Sequence, residues 1–228
     1  MNNKSISHIA FILDGNKRWA KKNNISNLNG YLKGFENIKQ IVNYTFHYNI
    51  NNITLFTLSS ENLKRTSIKI IYEIIYQNFS ILLDDILKKN KVKIKIIGSK
   101  KNLPIKIIKI FNDIEELTKN NKNFNLNLAF NYGFKDEIKE VLFKYKTNNY
   151  STNLDNDNDI KKLFSLGSLP DPEILIRTGG YKRLSNFIMY NLTYTELFFT
   201  ETLWPEFSSN ELDKIIQSYN EIDRNYGL

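Results

Sequence analysis

Short apolar runs alternate with amphipathic segments along almost the whole chain, and this alternation limits the possible folds more than any other feature. Ser7–Leu13, Ile53–Leu58, Val92–Ile97, Phe124–Phe130, Ile174–Arg177 and Glu196–Phe199 read as strands. They are short, and several are rich in β-branched and aromatic residues, which favours extended backbone. Between them, Lys33–Tyr48 carries Phe35, Ile38, Ile41, Val42 and Thr45 at helical spacing. Ile68–Lys89 presents Ile71, Ile74, Ile75, Phe79, Leu82, Leu83 and Ile86 on one broad face. Pro104–Thr118, Lys135–Lys146 and Ser209–Asn220 are further helices, the first with its proline in the opening turn. Asn186–Tyr190 starts a short one, and the Asn- and Asp-rich tract Asn148–Asp159 reads as a surface loop leading into another, Ile160–Phe164. Strands separated by helices call for an α/β fold with a mainly parallel central sheet, and right-handed crossovers then place helices on both faces. No repeat or linker divides the 228 residues, so residues 1–228 are expected to form a single domain.

Ligands in such sheets bind beyond the carboxyl ends of the strands. Asp14, Ser59-Ser60-Glu61-Asn62, Asn131-Tyr132-Gly133 and Arg177-Thr178-Gly179-Gly180 each follow a strand, so all four are expected on one rim. At the first, a carboxylate precedes a Gly15-Asn16 turn and then Lys17-Arg18-Trp19 opening a helix. A helix start suits a phosphate, and a carboxylate beside it suits a Mg²⁺ ion that bridges to that phosphate. The same residues also fit a plain strand–turn–helix with an Asp cap, two solvated cations and a core Trp. Ser59 to Arg65 is dense in hydrogen-bonding groups that can hold phosphate oxygens or orient a proton acceptor, although it also fits an ordinary capped loop.

The segment from Ile176 to Phe187 is the stronger anion signal. Arg177 and Arg183 flank a Gly-Gly turn and Ser185 precedes a short helix. Guanidinium forks grip phosphate bidentately, and glycines let backbone N–H groups approach closely. Glu196 stands among apolar residues, where a carboxylate needs a cation, either a metal or a salt-bridge partner.

Composition removes several chemistries. With no cysteine there is neither a disulfide nor a thiolate metal site, and a reducing cytosolic home is compatible. His8 and His47, the only histidines, cannot build a multi-histidine zinc site. The net charge of +8 attracts nucleic acids, anionic lipids and phosphorylated substrates alike, but the excess of Lys, Asn and Ile is also that of AT-rich codons. No apolar run reaches the roughly 18–20 residues that span a bilayer. Met1–Ser5 leads directly into a strand, so no signal peptide is expected. Taken together, two cationic anion sites, two separated carboxylates and a long apolar helix suit a phosphate-rich substrate with a greasy body.

These motifs resemble the cis-prenyltransferases, and within them bacterial undecaprenyl diphosphate synthase. The resemblance rests on Asp14-Gly15-Asn16-x-Arg18-Trp19-Ala20, on Ser59-Ser60-Glu61-Asn62 with Arg65, and on Asn131-Tyr132-Gly133. It continues through Ile176-Arg177-Thr178-Gly179-Gly180 with Arg183-x-Ser185-Asn186-Phe187, Glu196-Leu197, Leu203-Trp204-Pro205 and Arg224-Asn225-Tyr226-Gly227. It implies a homodimer with a hydrophobic tunnel between sheet and helices. It also implies Mg²⁺-dependent condensation of an allylic diphosphate, usually farnesyl diphosphate, with successive isopentenyl diphosphates in Z geometry. Carried over by motif position, Asp14 is the metal and catalytic carboxylate. Gly15, Asn16, Lys17 and Arg18 hold the allylic diphosphate with Trp19 beside them, and Ser59, Ser60, Glu61, Leu63 and Arg65 accompany Asn62, the proton-acceptor position. Arg177, Arg183, Leu184 and Ser185 form the isopentenyl diphosphate site, and Glu196 is a metal ligand reaching the site from the partner subunit. The resemblance implies no nucleic-acid partner, a cytoplasmic location and peripheral membrane contact at product release. Two alternatives stand beside it: a non-catalytic subunit of a heteromeric prenyltransferase, and a module that binds phosphorylated lipid or nucleic acid.

The chain departs from the family pattern near the allylic site. Asn27 and Tyr31 occupy positions where the family usually has Arg and His, Leu63 replaces a Trp, Leu58 an aromatic residue and Phe134 a Gly. Losing a charge-assisted hydrogen bond costs about 1.5–3 kcal/mol. Lys17, at a position that is commonly Gly, is expected to restore the missing cation.

Overall fold

The computed structural model describes residues 5–64, 67–77, 92–147 and 151–223. Its centre is a six-stranded sheet of β1 (His8–Ile12), β2 (Asn52–Ser59), β3 (Val92–Ile97), β4 (Phe124–Tyr132), β5 (Ile174–Arg177) and β6 (Glu196–Phe199). The strands lie in the order β3-β4-β2-β1-β5-β6, and every neighbouring pair is parallel. All carboxyl ends therefore face one rim, as the strand-end loops require.

The helices are α1 (Asn16–Lys22), α2 (Asn27–His47), α3 (68–77), α4 (Ile105–Thr118), α5 (Phe134–Thr147), α6 (Asp157–Lys161) and α7 (Ser209–Glu221). Two starts differ from the apolar spacing for one reason: polar capping residues read as loop. The Ser26 Oγ accepts the Asn29 N–H at 3.1 Å, so α2 begins well before Lys33. The Asn156 Oδ1 accepts the Asn158 and Asp159 N–H groups, so α6 begins before Ile160. Between Asn186 and Tyr190 the helical reading fails. Ser185 and Asn186 adopt φ +52° and +65°, and the first helical turn is a 3₁₀ one at Met189–Leu192. Of the long helix over Ile68–Lys89, residues 78–89 lie outside the described ones, as do Arg65 and Arg224–Gly227.

Strand alternation sorts the core into two layers. Ile9, Phe11, Ile53, Leu55, Leu126, Leu128, Ile174 and Ile176 face α2, α4 and α7. Ala10, Ile12, Phe56, Ala129 and Leu175 face the other way, against Leu166, Phe187 and Ile188. On the first side Asn37 of α2, buried, donates from Nδ2 to the Trp204 and Phe207 carbonyls at 2.6 and 3.0 Å. The Trp204 indole in turn donates to the Gly34 carbonyl at 2.7 Å. These bonds clamp the C-terminal segment onto α2 and set the back wall of the rim.

At the opposite, amino-terminal end of the sheet His8 is fully buried. Its Nδ1 lies 2.7 Å from the Pro170 carbonyl, which can only accept, so Nδ1 carries the proton. Nε2 then accepts from the Thr54 hydroxyl at 2.8 Å, and that hydroxyl accepts from the Asn127 amide at 3.2 Å. Burial lowers the His8 pKa from 6.5 to about 4, against the raising effect of the Pro170 hydrogen bond. Between those values the unfolded chain binds a proton that the folded chain does not. Stability is therefore expected to be full above pH 6.5 and to fall by about 3 kcal/mol as pH drops towards 4. Urea unfolding of the parent and of His8→Gln at pH 7, 5.5 and 4.5 measures it; the variant should lose this component of the slope.

Candidate active site

β1 and β5 are neighbours at the point where the chain changes direction across the sheet, with β2 on one side of β1 and β5 on the other. That crevice is the expected place for a ligand. Asp14 leaves β1 there, and Arg177 ends β5 opposite Ile12. The Asp14 N–H donates to the Thr178 Oγ1 at 3.0 Å, and that hydroxyl donates to the Asp14 carbonyl at 2.9 Å. The Trp204 N–H also donates to the Asp14 carbonyl, at 3.0 Å. The backbone at Asp14 is thus held from two sides, and its carboxylate stays about 30% exposed to the cleft.

Two guanidiniums meet that carboxylate. Arg177 Nη2 donates to Oδ2 at 2.9 Å and Arg18 Nη2 to Oδ1 at 3.1 Å. Arg177 is only 3% exposed. Its Nη1 donates to the Arg183 carbonyl and, at 2.7 Å, to the Ser185 Oγ. Burial pulls the Arg177 pKa below its usual value, while the hydrogen bond and charge of Asp14 oppose the shift. The Nε of Arg177 is buried without a protein partner, as is the Oδ1 of Asn16. An unpaired buried guanidinium N–H costs stability unless an acceptor reaches it, and an anion oxygen is such an acceptor.

Asp14, Gly15, Asn16, Lys17, Arg18, Tyr31 and Asn62 line one polar cleft with about 770 Å³ of empty space, its mouth included. Leu13, Asn16, Tyr31, Thr57 and Ile71 line both this cleft and an adjoining apolar cavity with about 790 Å³ of empty space, its open mouth included. Ile74 and Ile75 of α3, Phe111 of α4, and Leu126, Leu128 and Phe130 of β4 wall that cavity. Gly34 allows the junction. A Cβ there would lie 2.0 Å from the Asn16 Oδ1 and 3.0 Å from the Trp204 ring.

The other expected site residues divide. Asn27 is exposed and shares a shallow depression with Lys17, Arg18 and Lys21. Among the described residues Lys17 makes no ion pair, so its ammonium is available to either hollow. Trp19 is half-buried, its indole N–H without a protein partner. Ser59 ends β2, and Ser60 and Glu61 act as fasteners outside the cleft. The Ser60 hydroxyl donates to Asp136 Oδ2 at 3.1 Å, and the Asn186 amide donates to Glu61 Oε1 at 2.9 Å. Asn186 also accepts the Phe134 and Lys135 N–H groups, at its carbonyl and its Oδ1, which offsets its left-handed backbone. Leu63 and Leu184 pack against the two core layers instead of lining the cleft. Arg65 lies outside the described residues.

Glu196 does not meet Asp14 within one chain. It begins β6 opposite Ile174, whereas Ile12 and Phe199 flank Arg177. Three residues separate the two levels, roughly 10 Å along the strand direction, with two inter-strand spacings across. Among the described residues no three metal-ligating side chains cluster. One carboxylate beside a crevice with an unpaired guanidinium N–H still fits Mg²⁺, which commonly takes one or two protein carboxylates and completes its shell with phosphate oxygens and water.

Spacing did not single out Thr178 and Tyr181, although both lie within the Arg177–Phe187 motif. A hydroxyl residue directly after a strand-end Arg, and an aromatic one directly after Gly-Gly, were the available signals.

The family model described as "Putative undecaprenyl diphosphate synthase" matches residues 12–227, almost the entire chain. The chain belongs to this family. It is a prenyltransferase of the cis type, and its relatives agree over their full length. The isoprenyl transferase of Aquifex pyrophilus is 36% identical, with 100% of this chain and 98% of that one covered. The tritrans,polycis-undecaprenyl-diphosphate synthase (geranylgeranyl-diphosphate specific) of Pyrobaculum aerophilum is 35% identical, with 97% and 95% covered. Among solved structures, lavandulyl diphosphate synthase from Lavandula x intermedia, in complex with dimethylallyl diphosphate, superposes with a TM-score of 0.87 at 26% identity, covering 98% of each chain. A probable undecaprenyl diphosphate synthase from Campylobacter jejuni gives 0.78 at 28% identity, covering 99% of this prenyltransferase and 100% of that one.

Proposed function

We propose that this prenyltransferase elongates farnesyl diphosphate with successive isopentenyl diphosphates in Z geometry, to an undecaprenyl-length diphosphate that serves as a cell-wall lipid carrier. The observation that carries the reading is that the polar cleft of Asp14, Lys17 and Arg18 adjoins the apolar cavity, with five residues lining both. A diphosphate head and a growing hydrocarbon tail need those two environments joined at one point. Lys17, Arg18 and the Gly15-Asn16 turn hold the allylic diphosphate. Arg177, Arg183 and Ser185 hold that of isopentenyl diphosphate.

Loss of diphosphate from the allylic C1 is assisted where the arginines neutralise the developing charge. The alkene of isopentenyl diphosphate attacks that carbon, a C–C bond replaces the C–O bond, and a proton is lost to restore a double bond. Asn62 orients the acceptor of that proton, since an amide is a poor base. Asp14 would hold Mg²⁺, which supplies charge neutralisation of the leaving diphosphate. The active unit is a homodimer, with Glu196 acting across to the partner subunit's site. Exposed Leu197 on the edge strand β6 and exposed Tyr194 just before it support an apolar contact there. The reading includes a cytoplasmic location with peripheral membrane contact at product release; among the described residues no helix is long and apolar enough to cross a membrane.

Labelled isopentenyl diphosphate, Mg²⁺ and farnesyl diphosphate are expected to yield extractable labelled lipid, with chromatography reporting its length. Parallel arms with geranyl and geranylgeranyl diphosphate test the choice of starter, since a relative is named for the latter. Absence of labelled lipid in every arm would exclude turnover and leave binding alone, or a non-catalytic subunit. In the same assay Lys17→Ala is expected to raise the KM for the allylic diphosphate about tenfold, the cost of one charge-assisted contact, with kcat little changed. An unchanged KM would show that Lys17 does not replace the missing cation.

A further inference from the structure

The ring of Tyr181 lies among three guanidiniums. The guanidinium carbon of Arg183 is 4.2 Å from the ring centroid, that of Arg18 is 4.9 Å and that of Arg177 is 5.8 Å. The Gly179-Gly180 turn brings the ring there. Both glycines have positive φ, +85° and +79°, and their N–H groups donate to the Thr202 and Thr200 carbonyls at 2.8 Å. Space at the turn is tight: a Cβ on Gly179 would come within 2.5 Å of the Arg18 Nη2.

The local charge is unbalanced. Asp14 is the carboxylate paired with Arg18 and Arg177, and among the described residues Arg183 makes no ion pair. Glu201 is the other carboxylate at this turn, its Oε2 2.4 Å from where a Gly180 Cβ would stand, so two carboxylates face three guanidiniums. The negative face of an aromatic ring attracts a guanidinium within about 6 Å, so the ring adds a contact shared by all three. It also restricts two long side chains that otherwise sample many rotamers.

We propose that Tyr181 is a positioning residue that gathers Arg18 and Arg183 on one ring and thereby sets the spacing between the two diphosphate subsites. This rests on the assignment of those arginines to the allylic and isopentenyl diphosphates under the proposed reaction. The ring is 44% exposed, so core packing does not account for its placement. Its role is to pre-form the anion sites, so that binding spends less on ordering the arginines.

Tyr181→Phe keeps the ring and loses the hydroxyl, whereas Tyr181→Leu keeps apolar bulk and loses the π face. Binding of inorganic pyrophosphate by calorimetry, KM for each substrate, kcat and melting temperature are measured for both. Tyr181→Leu is expected to weaken pyrophosphate binding and raise both KM values about three- to tenfold, with kcat within about twofold. Tyr181→Phe should stay within about twofold of the parent. Equal or tighter pyrophosphate binding by Tyr181→Leu, or a Tyr181→Phe variant as weak as Tyr181→Leu, would overturn the proposal. Pyrophosphate binding is read without turnover. A parent protein that binds pyrophosphate but makes no lipid would overturn the proposed reaction and its subsite assignment, while the effect of the ring on anion binding would still be read from Tyr181→Leu.

Discussion

Replacing Asp14 by asparagine is expected to lower kcat by about 10²–10³-fold, the scale on which a preorganised electrostatic contact to a developing charge acts. The substitution keeps the side-chain volume, and the backbone bonds to Thr178 and Trp204 do not involve the carboxylate. What is lost is the charge that Arg18 and Arg177 share and, under the proposed reaction, a hard oxygen ligand for Mg²⁺. The KM values should change less than kcat, because the arginines remain to bind diphosphate. The rate at saturating substrates, with and without chelation of Mg²⁺, checks this. A parent enzyme indifferent to chelator, or an Asp14→Asn variant near the parental rate, would remove the carboxylate and its metal from the mechanism.

The second large effect is expected at Arg177. Lysine keeps the charge but not the planar fork. One ammonium cannot reach the Asp14 carboxylate, the Ser185 hydroxyl and the Arg183 carbonyl together while presenting an N–H like the unpaired Nε. Arg177→Lys should raise the KM for isopentenyl diphosphate about ten- to a hundredfold, the equivalent of about 1.5–3 kcal/mol. The KM for the allylic diphosphate should move much less. Steady-state kinetics with each substrate varied in turn separates the two. Equal increases for both substrates would mean that Arg177 supports the crevice as a whole and not one subsite. A melting temperature is read alongside, since Arg177 is buried.

How much of this was legible in the chain follows from the range of the interactions. The short apolar runs ending at Leu13, Leu58, Phe130 and Arg177 placed four loops on one rim, because a parallel sheet leaves no other arrangement. The apolar residues of α3 and β4 at the cavity were readable as a possible wall, since their spacing puts them on one face. The true starts of α2 and α6 were hidden, because Ser26 and Asn156 look like loop residues until their side chains are seen to cap. The failure at Asn186 has another cause. Its backbone conformation is maintained by hydrogen bonds to residues 51 and more positions away, and no local propensity registers those.

Strand alternation, the placement of Asp14, Asn62, Arg177 and Glu196, and the absence of cysteine are properties of the chain alone; they suffice for the α/β class and for a candidate anion-binding rim, and the resemblance of the motifs added the cis-prenyltransferase family. Folding decided which of these residues share a crevice. Asp14 and Arg177, 163 positions apart, meet at 2.9 Å because β1 and β5 are neighbours at the reversal in strand order. Asp14 and Glu196 do not meet, because β6 enters the sheet with Glu196 at its amino end. Local pattern reports which face a side chain takes, since that depends on backbone period. Which side chains touch depends on strand order and register, and those are set by packing across the whole sheet.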